Sequence, residues 1–253
     1  MSKISLHKID TKAPADLNKD ETKQQTKEVV EKLDELQNLL YAENKHSLLI
    51  ILQGMDASGK DSTIRKVFKM INPMGISVHS FKKPTEEDLS YDFLWRVHRR
   101  VPGKGSIVIF NRSHYEDILI TRVHGWCDDK TAKHRMKAIN DFEELLQLHN
   151  GTQILKFYLH ISREAQKERF KERLEDPQKH WKFNEKDQEE AKYWDDYMKM
   201  YEDCFEHCSL VPWTIVPADQ KWYKEFIIGT AIYESLKKLD MKYPTLKEIM
   251  NQV

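Results

Sequence analysis

A chain of 253 residues with 41 lysines and arginines against 41 aspartates and glutamates carries no formal net charge, which excludes a uniformly basic nucleic-acid coat and a wholly acidic disordered chain. Its 40% hydrophobic content supports a core without disulfide staples, and its three cysteines cannot form a fully paired set. The first 20 residues hold no apolar run of the signal-peptide kind, and none anywhere reaches the about 18 residues of a membrane span, so the expectation is a cytoplasmic protein with neither a membrane nor a nucleic-acid partner.

Residues 1–19 are polar and read as a surface arm. Over 20–43 the residues Val29, Leu33, Leu36 and Leu40 recur on one helical face. Residues 1–46 therefore read as an arm and helix packed on a main domain at 47–253. That domain opens with the apolar run 48–52, and further short runs follow at 76–81, 107–110, 154–159 and 213–216. Helical stretches lie between and after them, at about 60–71, 88–100, 131–149, 163–207 and 220–239. Strands alternating with helices predict an α/β fold, a mostly parallel five-stranded sheet flanked by helices. Residues 163–212 carry charge and no strand signal. They read as two helices, 163–175 and 186–207, broken near Pro177, forming either a solvated excursion or a cover over a site.

The strongest chemical signal directly follows the first strand. In GMDASGKDS, Gly54 and Gly59 let the backbone curl with its N–H groups inward, and the next helix adds its positive end. Lys60 brings a point charge to the outer phosphates. Gly54, Ala57, Ser58, Gly59, Lys60, Asp61 and Ser62 are thus phosphate-binding candidates. Asp61 stands where Ser or Thr usually ligates magnesium, leaving Ser62 and Thr63 as hydroxyl donors. Asp56 beside phosphates suits a divalent cation or an oriented arginine, against the alternative of a helix cap.

The second signal is IVIFNRSHYED at 107–117, where a strand releases Asn111, Arg112, His114, Glu116 and Asp117 together. Ligands of open α/β sheets bind at such strand ends. Arg112 can fork onto a phosphate, Asp117 can hold magnesium, and Asn111 takes a place where an Asp often helps position it. The alternative is an internal arginine–carboxylate pair. A third signal is local charge: residues 60–135 hold 15 lysines and arginines and 9 acids. Lys82 and Lys83 follow the second strand, Arg96, Arg99 and Arg100 read as one helix, and Arg122 follows the second motif. Half of these converging would make a groove for a polyanion. In the 163–207 segment, Arg169 and Arg173 share a helical face with Gln166 and Phe170 nearby, the arrangement of a closing lid. Cys204, His207 and Cys208 lack a fourth zinc ligand. Tyr193, Trp194 and Tyr197 read as packing, and Trp213, Trp222 and Phe226 as core.

Taken together, GMDASGKDS, FNRSHYED, ERFKERLEDPQKHWKF, EEAKYWDDYMKMYED and VPADQKWY resemble the polyphosphate kinase 2 family over about residues 45–240. The resemblance implies a P-loop kinase fold with a helical lid. It implies magnesium, with manganese as a possible substitute, and reversible phosphoryl transfer between inorganic polyphosphate and adenine nucleotides. Matched to the family motifs, Asp56, Lys60, Arg112, Asp117, Arg169 and Arg173 are the expected catalytic residues, and Asp56 and Asp117 the expected metal ligands. Asn111 replaces an Asp of many members, and the surrounding form resembles the branch accepting both nucleoside mono- and diphosphates. A homo-oligomer, dimer or tetramer, is expected. The alternatives are an ATP-dependent nucleotide or small-metabolite kinase on the same fold and a non-catalytic polyphosphate- or nucleotide-binding module.

Overall fold

The computed structural model describes residues 4–250; the ends of the expected arm (1–3) and main domain (251–253) lie outside the described residues. The arm is less detached than its polarity suggests. Leu6, in a short 3-10 turn, is buried, and its N–H donates to Glu202. Helix α1 (Lys19–Glu43) starts where Asn18 accepts from the N–H groups of Asp20 and Glu21. Its buried stripe is Thr22, Thr26, Val30, Leu33, Gln37 and Leu40, turned from the expected face so that Val29 and Leu36 border it.

Strand β1 (Ser47–Gln53) is buried along its whole length, as an apolar run in a doubly covered sheet must be. The phosphate loop follows, then helix α2 (Lys60–Val67), β2 (Ile76–Ser80), the single turns α3 (Glu86–Leu89) and α4 (Trp95–His98), and β3 (Ile107–Asn111). The expected helix over 88–100 is therefore two short turns, with Arg99 already the cap of the second. A 3-10 turn (His114–Ile118) leads to α5 (Ile120–Val123), α6 (Asp129–Asn150) and β4 (Thr152–His160). Next come α7 (Arg163–Glu175), α8 (Glu185–Glu190), α9 (Trp194–His207), β5 (Trp213–Pro217), α10 (Lys221–Lys237), which packs along α1, and α11 (Leu246–Met250).

The sheet order is β2-β3-β1-β4-β5, with every pairing parallel. Register places Leu52 beside Asn111 and Gln53 beside Tyr158, so the two motifs leave the sheet side by side at its carboxyl edge. β1 is the switch point of the topology, with β3 on one side and β4 on the other, which opens a crevice there.

The expected lid over 163–207 is corrected by α9. Tyr197, Tyr201 and Phe205, four residues apart, are buried, and Tyr201 packs 4.3 Å from the ring of Tyr158 on β4. Only α7, the 3-10 turn after Pro177 and α8 form the exposed hairpin. Its composition is charged throughout, whereas α9 carries an apolar stripe that the sheet buries. No helix among the described residues is long and apolar enough to cross a membrane.

Candidate active site

The loop between β1 and α2 curls through three positive φ angles: Gly54 at 145°, Ala57 at 62° and Gly59 at 95°. At Gly54 a Cβ would stand 2.8 Å from the carbonyl oxygen of Leu159, so only glycine fits between the loop and β4. Lys60 lies under the curl at 8% exposure, donating to the carbonyls of Gly54 (2.7 Å) and Met55 (3.3 Å). Burial, with the nearby Arg112 charge, lowers its pKa to about 8. Ser62 and Thr63 are not free hydroxyls: both donate to the carbonyl of Gly59, at 2.8 and 3.0 Å.

Side chains from distant elements grip the loop's other carbonyls. Gln166 on α7 donates to Asp56 O (2.9 Å). Arg169 donates to Ala57 O (2.7 Å) and Ser58 O (3.0 Å), and with its second nitrogen to Ala218 O (2.6 Å) and Asp219 O (2.9 Å) after β5. Lys224 on α10 donates to Ser58 O and Gly59 O, both at 3.1 Å. Sequence reasoning missed Lys224, and it placed Gln166 beside the two arginines of α7 without a role.

Arg112, held at φ 61° just past β3, forms an ion pair with Asp56 and stands 3.8 Å from Glu116. Glu116 and Asp56 push its pKa further up. Burial raises the Glu116 carboxyl despite Arg112 and Lys60 close by. With its carboxamide oriented to satisfy both neighbours, Gln53 donates to Glu116 Oε1 (3.0 Å) and accepts from Ser113 N (3.1 Å). Asn111 donates to Asp61 (2.7 Å), joining the two motifs a second time.

Two expected site residues turn away. His114 is fully buried, 3.5 Å from Glu143 on α6, so it is not placed to touch a phosphate. Asp117 faces Arg96 (3.5 Å), and its backbone carbonyl accepts from Arg135 on α6 (2.7 Å). Burial raises its carboxyl. The reason is local. Past Asn111 the chain winds into a 3-10 turn, where residues three apart share a face. Glu116 follows Ser113 toward the loop, while His114 faces Glu143 on α6 and the Asp117 carboxylate faces Arg96 on α4. Asp56 and Asp117 are each paired with an arginine, Arg112 and Arg96 respectively.

The hairpin bends over the loop. Arg173 pairs with Asp187 on α8 (2.8 Å), whose carboxyl is raised by burial and then by Asp56. Glu190 bonds His124 and the hydroxyl of Tyr197, each at 2.8 Å. Gly54, Asp56, Arg112, Glu116, Gln166, Glu190, Tyr197 and Tyr201 enclose a cavity of about 20 Å³. That is room for about one or two waters. Tyr197, expected as packing alone, lines the site with its hydroxyl.

The two lid arginines therefore differ. Losing the Arg169 bonds to four carbonyls is expected to cost about 3 kcal/mol, or roughly 6–12 °C in Tm for a chain of this size. Arg173→Ala breaks one partly exposed pair and is expected to cost about 1 kcal/mol or less. Thermal unfolding of the two variants checks this; equal losses would mean that Arg169 does not brace the loop.

A basic groove of about 320 Å³ lies at the end of β2, lined among others by His79, Lys82, Lys83, Arg96, Arg99 and Arg100. Arg122 is not part of it, being paired with Asp129 (2.8 Å) and Asp203 (2.9 Å). For a divalent cation, Asp56 fits best. Magnesium takes one or two carboxylates and completes its octahedron with water and phosphate oxygens, and Asp56 is a half-buried carboxylate at the loop. Among the described residues no three His, Cys, Asp or Glu side chains form a group that could hold an ion by themselves.

A curled phosphate loop at the switch point of a parallel sheet, with a buried lysine beneath it and a cation-braced hairpin above, defines a P-loop kinase-like α/β protein. Residues 16–244 match the family described as polyphosphate kinase 2 (PPK2), and the chain belongs to it. The chain is 47% identical over 215 residues to an AMP/ADP-polyphosphate phosphotransferase of Meiothermus ruber, covering 84% of this chain and 80% of that protein. It is 44% identical to an ADP-polyphosphate phosphotransferase of Rhodopseudomonas palustris, covering 96% and 89%. The crystal structure of polyphosphate kinase 2 from Arthrobacter aurescens TC1 superposes with a TM-score of 0.93 at 40% identity, covering 97% of this chain and 89% of that one.

Proposed function

We propose that this chain carries out reversible, Mg²⁺-dependent phosphoryl transfer between inorganic polyphosphate and adenine nucleotides, taking ADP to ATP and AMP to ADP. The observation that carries the reading is the side-by-side exit of the phosphate loop and the Asn111–Arg112 segment at one sheet edge, with Lys60, Arg112 and Asp56 converging there. In the forward direction a terminal phosphate oxygen of the acceptor nucleotide attacks the end phosphorus of polyphosphate. The bridging P–O bond breaks, and the shortened chain leaves with its electron pair. No protein nucleophile is required, so the residues act by positioning and charge stabilisation.

Lys60 and Arg112 draw the transferred phosphoryl oxygens, and the loop N–H groups hold them in line. Asp56 would hold Mg²⁺ or Mn²⁺ with phosphate oxygens, and Asp117 would join only after leaving Arg96; the ion supplies charge neutralisation. The basic groove beside Lys82 and Lys83 suits the remaining length of a polyanion. The AMP activity rests on Asn111 and its neighbours and on the likeness to the Meiothermus ruber relative. Cytoplasmic location belongs to the same reading, as three free and buried cysteines suit a reducing compartment. So does a homo-oligomer, dimer or tetramer, which light scattering would test. Nucleic acid has no part in it.

Purified protein with Mg²⁺ and long-chain polyphosphate should convert ADP to ATP and AMP to ADP, seen by separating the nucleotides. Apparent polyphosphate affinity should fall as salt rises, because each phosphate neutralised by a lysine or arginine releases a counterion. Phosphorylation from ATP alone would favour the ATP-dependent kinase, and binding without turnover the non-catalytic module. Conversion of ADP but not AMP would remove only the monophosphate activity.

A further inference from the structure

Lys224 is fully buried and holds its ammonium at the outer wall of the phosphate loop. Its donors reach Ser58 O (3.1 Å), Gly59 O (3.1 Å) and, more distantly, Ser62 Oγ (3.4 Å). The missing side chain of Gly59 makes the space: a Cβ there would stand 2.0 Å from Nζ. Neither carbonyl depends on Lys224 alone. Ser58 O also accepts from Arg169, and Gly59 O from Ser62, Thr63 Oγ1 and Thr63 N. The backbone is satisfied without the ammonium, so the fold alone gives no reason to bury a cation here, a costly act.

A peptide's C=O and N–H point in opposite directions. Drawing the carbonyls of Ser58 and Gly59 outward turns the N–H groups of Gly59 and Lys60 inward, toward the concavity. The polarised peptides then carry the buried charge through to a bound anion. We propose that Lys224 is a positioning residue of the phosphate site, acting through the Ser58–Gly59–Lys60 backbone to bind the phosphate it does not touch. This inference rests on the phosphate-loop reading given above.

The ionisable groups around Lys224 come from three elements: Arg169 on α7, Lys60 on α2, and Lys221 and Glu225 on α10 itself. Burial, with Arg169 next in size, lowers the Lys224 pKa to about 7. With Arg169 and Lys60 close by, Lys224 holds its proton weakly, and phosphate binding should draw a proton onto it at neutral to basic pH.

The experiment is binding of inorganic tripolyphosphate, by calorimetry, to the full chain and its variants. Lys224→Met keeps the length of the side chain and removes the charge. It should weaken tripolyphosphate by about 10- to 100-fold, the scale of charge-assisted hydrogen bonds, and lower kcat/KM in step. Wild-type affinity in a folded Lys224→Met protein would overturn the inference and leave the phosphate-loop reading standing. Failure of the wild type to bind would overturn both. Lys224→Arg covers the case in which Lys224→Met does not fold. Wild-type affinity should fall between about pH 7 and 9 as Lys224 and then Lys60 lose their protons, whereas Lys224→Arg keeps its charge and should fall less steeply. The ligand's own titration is common to both proteins. Identical pH slopes would assign Lys224 a packing role only.

Discussion

Lys60→Ala is expected to lower kcat/KM by about 10²–10³-fold, the loss that follows removal of one preorganised charge-stabilising donor. Lys60 sits under the loop with Gly54 O and Met55 O as its partners, so its ammonium is already aimed when phosphate arrives. The variant should fold. It removes a buried cation whose desolvation is the largest influence on its pKa, and it leaves no unpaired charge of opposite sign, because Asp56 keeps Arg112. Circular dichroism and a nucleotide assay on the same preparation separate the two outcomes.

The pH profile adds a second measurement. Lys60 is cationic below about pH 8 and neutral above it in the free protein. Because kcat/KM reports the free enzyme, it should decline as pH rises through about 8, earlier than an ordinary lysine near 10.5 would allow. A folded Lys60→Ala protein with near wild-type turnover would show that the transferred group does not meet this loop.

Asp56→Asn is expected to lower kcat by about 10²-fold or more and to shift the Mg²⁺ requirement upward. The shape of Asp56 is kept and its charge removed. Arg112 then loses its nearer carboxylate and retains Glu116 at 3.8 Å. A raised Mg²⁺ requirement with partial recovery at high Mg²⁺ is the signature of a weakened metal site. An unchanged Mg²⁺ curve with a lowered rate would assign Asp56 to orienting Arg112, and an unchanged rate would remove it from the chemistry. Asp117→Asn is the contrast. With Arg96 as its partner and apart from the groups around Lys60, it should disturb the Mg²⁺ requirement less than Asp56→Asn.

What the amino-acid sequence determined by itself is whatever is encoded over a few neighbouring residues. Strand β1 was legible because its five central positions, Leu48 to Leu52, are buried in a row and all apolar, and the loop because Gly54 and Gly59 stand at conformations that side chains resist. The strand-end cluster was legible because five polar groups after an apolar run need partners. The tertiary structure decided which way those groups face. A 3-10 turn divided the cluster, sending Glu116 to the loop, His114 to Glu143 on α6 and Asp117 to Arg96 on α4. It also turned the second half of the expected lid into core, because the aromatic stripe of α9 finds Tyr158 on β4. The braces of the loop lay beyond local reading for a simple reason. Gln166, Arg169 and Lys224 recognise backbone carbonyls, which every residue has, over separations of more than 100 positions along the chain. Such partners leave no pattern in sequence and are set only when the sheet order brings α7 and α10 against the end of β1.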